Sequence, residues 1–252
     1  MRHLFTEEGE RALGEVLRRS PLLAFDFDGT LAPIVDRPEE ARVPETVARV
    51  LSRLGRSLPV AIITGRNVDD VRPRLGFEPR YVIGNHGAED PEVGPASAGS
   101  NALDVLRHRI PAAAAGLARV GVGVEDKHHS LAFHYRRAPD AGVALVAIEA
   151  LLEGVSPALQ RFGGKCVVNV VAAGLPDKGD ALATLVRRAG ADAALFVGDD
   201  VNDEAVFMRA DPGWLTLRIG RDDPLSRAMF FLDDATELAQ VLQRIENSLD
   251  AR

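Results

Sequence analysis

Four consecutive apolar residues, Leu22-Leu23-Ala24-Phe25, lead straight into Asp26-Phe27-Asp28-Gly29-Thr30. A short apolar run held between Pro21 and Gly29 has the length and unbroken hydrophobicity of a strand buried on both faces, the kind found in parallel sheets covered by helices. Two carboxylates then stand just beyond its carboxyl end, the edge at which open α/β sheets bind ligands. Acids so close together repel unless a cation or a shared proton relieves them, so the spacing points to a divalent metal site with one carboxylate left for chemistry. A turn that only caps a loop would use the same pentapeptide, and the rest of the chain has to decide between the two.

Alternating patterns on either side support the sheet. The periodicity predicts helices at 7–19, 45–54 and 68–75 between strands at 22–27, 59–63 and 81–83, the βαβ rhythm of a parallel sheet. Residues 91–100 are rich in Pro, Gly, Ala and Ser and read as a linker. Beyond it the rhythm becomes helix, strand, strand, twice over: a helix at 103–118 with strands at 120–126 and 130–135, then a helix at 141–152 with strands at 158–162 and 165–171. Two αββ units imply an antiparallel sheet with both helices on one face. After a return linker at 172–176 the first rhythm resumes, with helices at 180–188, 203–209 and 235–248 and strands at 194–197 and 214–219. The expected fold class is α/β: a Rossmann-like parallel-sheet core, 1–96 and 175–252, carrying an inserted α+β cap, 97–174.

A chain of 252 residues, 46% hydrophobic and 27% charged, is long enough for one core domain and a smaller one. No run approaches the ~18 apolar residues of a membrane span, and the polar first segment lacks a signal-peptide core, so the expectation is a cytoplasmic monomer with no membrane partner. The one cysteine, Cys166, cannot form an internal disulfide. A net charge of −7 excludes the electrostatic footprint of a nucleic-acid binder. Among 30 basic residues only Lys127, Lys165 and Lys178 are lysines, which marks them as places where a compact ammonium is wanted in place of a guanidinium.

Further polar groups fall at predicted strand ends and helix starts. Thr64-Gly65-Arg66 follows one strand and offers a hydroxyl and backbone N–H groups suited to phosphate oxygens. Lys178-Gly179 precedes the predicted 180–188 helix, where an ammonium would pair with phosphate. Gly198-Asp199-Asp200-Val201-Asn202-Asp203-Glu204 places four acids in six positions after another strand, an arrangement that needs a cation to be tolerable.

In that order, DxDGT, Thr-Gly-Arg, a lysine at a helix start and GDDxxDE resemble the haloacid-dehalogenase-like phosphatase superfamily across the whole chain. The resemblance implies Asp26 as nucleophile, Asp28 as acid and base, and phosphoryl contacts from Thr64, Gly65, Arg66 and Lys178. It implies Mg²⁺ held by Asp26, the backbone carbonyl of Asp28 and Asp199, with Asp203 behind them or acting through water.

Substrate choice then falls to the insertion and its approaches. Gly84-Asn85-His86-Gly87-Ala88-Glu89, Glu125-Asp126-Lys127 with His134-Tyr135-Arg136, and Gly164-Lys165-Cys166-Val167-Val168-Asn169 supply carboxylates, amides and cations that could hydrogen-bond sugar hydroxyls. Together they resemble the trehalose-6-phosphate phosphatase family, and the resemblance implies His86, Glu89, Glu125, Lys127, His134, Arg136, Lys165 and Asn169 as substrate contacts. One departure stands out: the family usually carries glutamate where this chain has Asn169, which removes a charge-assisted bond. Phosphatases of sucrose phosphate, a glucosyl- or mannosyl-phosphoglycerate or a hexose phosphate therefore stay open, as do a phosphotransferase or mutase and a sensor that binds sugar phosphate without turnover. The partner expected in every case is a small sugar phosphate.

Overall fold

The computed structural model describes the whole chain apart from residues 36, 96–99, 128–129, 210 and 251–252. Two compact units emerge, Met1–Glu92 with Pro176–Arg252, and Val93–Leu175. The join expected at 96/97 falls outside the described residues.

The first unit is built on seven strands: β1 (Arg2–His3), β2 (Leu22–Phe25), β3 (Val60–Ile63), β4 (Tyr81–Ile83) and, from the far end of the chain, β11 (Ala194–Gly198), β12 (Trp214–Ile219) and β13 (Phe230–Leu232). Their order is β1-β13-β12-β11-β2-β3-β4, and every neighbouring pair is parallel. Every residue of β2, β3 and β11 is buried, because helices cover both faces. Leu23 and Phe25 point into one apolar core with α1 (Glu7–Arg18), α2 (Glu45–Leu54) and α8 (Ala235–Asp250), while Leu22 and Ala24 point into a second with α6 (Lys178–Ala189) and α7 (Glu204–Arg209). The expected helix at 68–75 is α3 (Val68–Val71) continued by a tighter 3₁₀ turn over Arg72–Arg74. A short extended piece, β5 (Glu89–Asp90), follows β4.

β2 has β3 on one side and β11 on the other, so the strand order reverses around it. Such a switch point opens a crevice beyond the carboxyl ends of the strands. Asp26 leaves β2 there, Thr64 leaves β3 and Asp199 leaves β11. Asp26 is fixed further by its N–H, which donates to the Val197 carbonyl at 2.9 Å.

Two differences from the sequence expectation stand out in this unit. The sheet gains β1 and β13, two and three residues long, which are too short to show a period and are defined only by pairing, β13 with β12 and β1 with β13. Helix α6 begins at Lys178 and not at residue 180, because Asp177 is its N-cap: Asp177 accepts from the Asp180 N–H while Asp180 accepts from that of Asp177. Lys178 is therefore the first helical residue, and Gly190 at φ 64° ends the helix.

The second unit carries β6 (Gly94–Pro95), α4 (Ser100–Arg119), β7 (Gly123–Asp126), β8 (Ser130–His134), α5 (Ala141–Leu152), β9 (Leu159–Gly164) and β10 (Val167–Ala172). Strands β7-β8-β10-β9 form an antiparallel sheet in that order. Leu131, Phe133 and Val170 from one sheet face share a core with Leu103, Leu106 and Leu117 of α4 and Ala144, Ile148 and Leu152 of α5, as the doubled αββ pattern implies. Among the described residues no helix is long and apolar enough to cross a membrane.

Candidate active site

Three carboxylates and one ammonium meet at the switch point. Ligand oxygens of Asp26, Asp199 and Asp203 lie within 4.8 Å of one another, and all three residues are buried. Lys178 Nζ reaches Asp203 Oδ1 at 2.7 Å and Asp26 Oδ1 at 3.0 Å, and its side chain is only 1% exposed. A lysine in the first turn of a helix opposes the helix dipole, so its position is explained by the acids it meets and not by helix stability. Burial disfavours the charged amine, but Asp203 and Asp26 outweigh that and hold Lys178 protonated well above the usual lysine range. Burial drives the Asp26 carboxyl far above its usual range; Lys178 opposes the rise, and Asp203 and Asp199 add to it.

The sequence explains why the acids can approach so closely. Gly29 has φ 82°, and a Cβ there would fall 2.1 Å from Asp199 Oδ2, so only glycine lets the turn after β2 fold over β11. Thr30 then donates its hydroxyl to Asp199 Oδ1 at 3.3 Å. Asp203 Oδ2 accepts from the N–H groups of Asp199 and Asp200 at 2.8 and 2.9 Å, closing the 199–204 turn on itself. With Lys178 on its other oxygen, Asp203 shapes the cluster more than it faces outward.

These residues fit a divalent cation. One ammonium leaves the buried cluster of three acids with an excess of negative charge, and the donors are all oxygens, the set that Mg²⁺ and Ca²⁺ accept. Asp26 and Asp199, on adjacent strands, are the carboxylates best placed to hold it.

Asp28 stands apart from that group. Its side chain is 43% exposed and its carboxylate is gripped by Arg66, from Nε to Oδ2 at 2.7 Å and from Nη2 to Oδ1 at 2.8 Å. Arg66, expected among the phosphate contacts, also donates to Asp70 Oδ2 and to the Pro38 carbonyl, each at 2.7 Å, and lies over the Phe27 ring. Burial disfavours its charge, yet the bonds to Asp28 and Asp70 hold the guanidinium firmly protonated. Its donors thus point at carboxylates, and Arg66 is tied to the acid/base candidate. Thr64 is buried and its hydroxyl accepts from the Arg66 N–H at 3.2 Å.

The remaining candidates separate by unit. In the first, the His86 ring packs on Gly65, where a Cβ would come within 2.3 Å of it, and Glu89 Oε2 accepts from Val68 N–H and Asn85 Nδ2 at 3.1 and 2.7 Å. Glu89 thereby braces the turn that holds Asn85 and His86, both at positive φ. In the second unit, Glu125 Oε2 meets His134 Nε2 at 2.8 Å and Lys127 Nζ at 3.7 Å, and Arg136 donates to the Lys165 carbonyl at 3.2 Å. Asn169 is buried and lies in one cross-strand row with Ala132 and Glu125. Thr30 and Asp70 escaped the sequence reading. Thr30 closes the first motif, and Asp70 lies in the first turn of α3, whose N-cap Asn67 directly follows Arg66.

A family model for trehalose-phosphatase matches residues 24–213. The chain belongs to the trehalose-phosphatase family. A trehalose-phosphate phosphatase of Mycobacterium avium (strain 104) is 32% identical over 251 residues, covering 92% of this chain and 63% of that protein. A probable trehalose-phosphate phosphatase of Sinorhizobium fredii (strain NBRC 101917 / NGR234) is 33% identical over 234 residues, covering 87% of this chain and 85% of that one. This trehalose-phosphatase family member thus spans about 63% of the length of the M. avium relative. Its fold matches the C-terminal domain of C. albicans trehalose-6-phosphate phosphatase at a TM-score of 0.80 with 21% identity, covering 94% and 96% of the two chains. The fold is haloacid-dehalogenase-like.

Proposed function

We propose that this chain is a Mg²⁺-dependent phosphatase that hydrolyses trehalose 6-phosphate to trehalose and phosphate through an aspartyl-phosphate on Asp26. The observation that carries the reading is the buried cluster of Asp26, Asp199 and Asp203, two of them bonded to Lys178, where the strand order reverses. Its sequence relatives named as trehalose-phosphate phosphatases support the substrate. The net charge of −7 supports a small-molecule partner over nucleic acid, and the enzyme is read as a cytoplasmic monomer.

In the first half-reaction an Asp26 oxygen attacks phosphorus and the bond from phosphorus to the sugar oxygen breaks. That oxygen takes its proton from Asp28, one of whose carboxyl oxygens must come free of Arg66 while the other stays held. In the second, Asp28 removes a proton from water, the water oxygen attacks phosphorus, and the bond to Asp26 breaks to release phosphate. General acid and base help of this kind contributes roughly 10²–10⁴-fold. A carboxylate and a phosphate dianion repel, so Lys178 must neutralise the approach, while the Thr64 hydroxyl and Gly65 N–H orient the phosphoryl oxygens. When bound by Asp26, the Asp28 carbonyl and Asp199, Mg²⁺ supplies further charge neutralisation on the transferring group. The His86 turn, with the Glu89 that braces it, and the Glu125–Lys127–His134 group, Arg136, Lys165 and Asn169 would bind the sugar hydroxyls, the second unit serving as the specificity cap.

Asn169 favours a second reading, a phosphatase for another sugar phosphate, because an amide accepts a hydroxyl without the charge-assisted bond of a glutamate. Phosphate release measured over a panel of sugar phosphates separates the two, and a strong preference for a monosaccharide ester would remove the disaccharide reading. Asp26→Asn separates enzyme from sensor: turnover should vanish with the fold retained.

A further inference from the structure

Strand β12 reads Trp214-Leu215-Thr216-Leu217-Arg218-Ile219, and in this otherwise uncharged strand Arg218 is 2% exposed. Its Nη2 reaches Asp222 Oδ1 at 3.2 Å, but Nε and Nη1 have no hydrogen-bond partner. Nη1 lies 3.6 Å from Glu204 Oε1, which also has none. Burying a guanidinium with two donors unmet is expensive, and an apolar side chain like those beside it would serve the strand better if stability were its only task.

What Arg218 faces gives it another task. The register sets it opposite Gly198, the last residue before Asp199. Glu204 directly follows Asp203, and its Oε2 accepts from the Arg227 N–H at 2.9 Å. Glu204 is thus tethered by the backbone after β12 on one side and faced by Arg218 on the other. Between Asp199 and Glu204 the chain is a closed turn, pinned by Asp203 Oδ2 on two N–H groups and by the Asp203 N–H on the Asp200 carbonyl at 3.0 Å. A displaced Glu204 would carry Asp203 with it, and Asp203 in turn bonds Lys178.

We propose that Arg218 is a positioning residue: acting through Glu204, it sets the 199–204 turn so that Asp199 and Asp203 are in place before a divalent cation arrives. The inference rests on the reading of Asp26, Asp199 and Asp203 as a Mg²⁺ site, and it adds two residues that touch neither the ion nor the substrate. Partners behind metal ligands commonly alter affinity by about 10–100-fold when removed.

The test is calorimetric titration of the full chain with Mg²⁺, which needs no turnover. Arg218→Met and Glu204→Gln should each weaken binding by about tenfold, and the double variant should be no weaker than either single, because both break one link. Leu217→Ala, its neighbour on the opposite sheet face, should lower the melting temperature yet keep the affinity within about twofold. Should Arg218→Met fail to fold, Arg218→Lys takes its place in the same cycle and is expected to lie between wild type and Glu204→Gln. Unchanged or tighter binding in the Arg218 variant, equal weakening in Leu217→Ala, or multiplicative losses in the double variant would overturn the inference. A wild-type chain that takes up no Mg²⁺ would instead overturn the metal reading on which it rests.

Discussion

Arg66 holds Asp28 by two parallel hydrogen bonds, 2.7 and 2.8 Å long, and the planar fork of a guanidinium is what makes both at once. A lysine at 66 would keep the charge and lose the fork. Arg66→Lys should therefore lower kcat for the sugar ester by about 10²-fold while leaving KM near wild type, within the range expected when an acid is misplaced. Steady-state kinetics with trehalose 6-phosphate beside p-nitrophenyl phosphate checks this. The aryl group departs as p-nitrophenolate and needs no proton, so its release in the first turnover should be spared.

Lys178 balances carboxylates that are almost wholly buried. Lys178→Met should abolish turnover and lower stability by about 3–5 kcal/mol, the usual cost of removing one partner from a buried ion pair. Urea unfolding measures the stability change. Adding Mg²⁺ should recover part of it but none of the turnover.

Removal of divalent metal by a chelator should stop turnover and lower the melting temperature together. At a Mg²⁺ concentration 100 times its dissociation constant, binding to the folded state alone stabilises by about 2.7 kcal/mol. A melting temperature indifferent to chelator and Mg²⁺ alike would contradict the metal site.

Asp70 gives a prediction in pH. Burial pushes its carboxyl up, but hydrogen bonds from Arg74 and Arg66 outweigh this and hold it below the usual carboxylate range. A depressed carboxyl stabilises the fold above its unfolded value, near 3.9, and that contribution is lost as pH falls through the folded value. With a third of the side chain exposed, screening limits it to about 1 kcal/mol. Asp70→Asn should be less stable than wild type at pH 7, and unfolding curves of the two should converge below about pH 4.

In the second unit, Glu125 joins His134 and Lys127. Glu125→Gln should raise KM for trehalose 6-phosphate by about tenfold, the loss of one charged contact to a sugar hydroxyl, and leave p-nitrophenyl phosphate turnover unchanged. Parallel kinetics on the two esters tests it.

The sequence carries the parallel sheet well, because β2, β3 and β11 are buried on both faces and must be apolar throughout. It carries the acids equally well, since Asp26 and Asp199 leave strand ends, where motif and topology coincide. It is silent on β1 and β13, which are too short to show a period. It also assigned Arg66 by its motif alone. That this guanidinium turns to Asp28 and the Pro38 carbonyl depends on segments distant in sequence, and only Asp70, just inside α3, is a local partner. The sequence reading left Arg218 unmarked within the strand at 214–219, and its meeting with Glu204 depends on the β11–β12 register, which no local pattern encodes.

Asp26 and Asp199 sit on neighbouring strands that are drawn from opposite ends of the chain. A ribosome-bound chain released only as far as β4 would already contain Asp26, but with no β11 beside it, and its carboxylate would lie in water as an ordinary acid. The acidic cluster therefore comes into being late in synthesis, when β11 slots in against β2, and a truncated product that folds its first half lacks it.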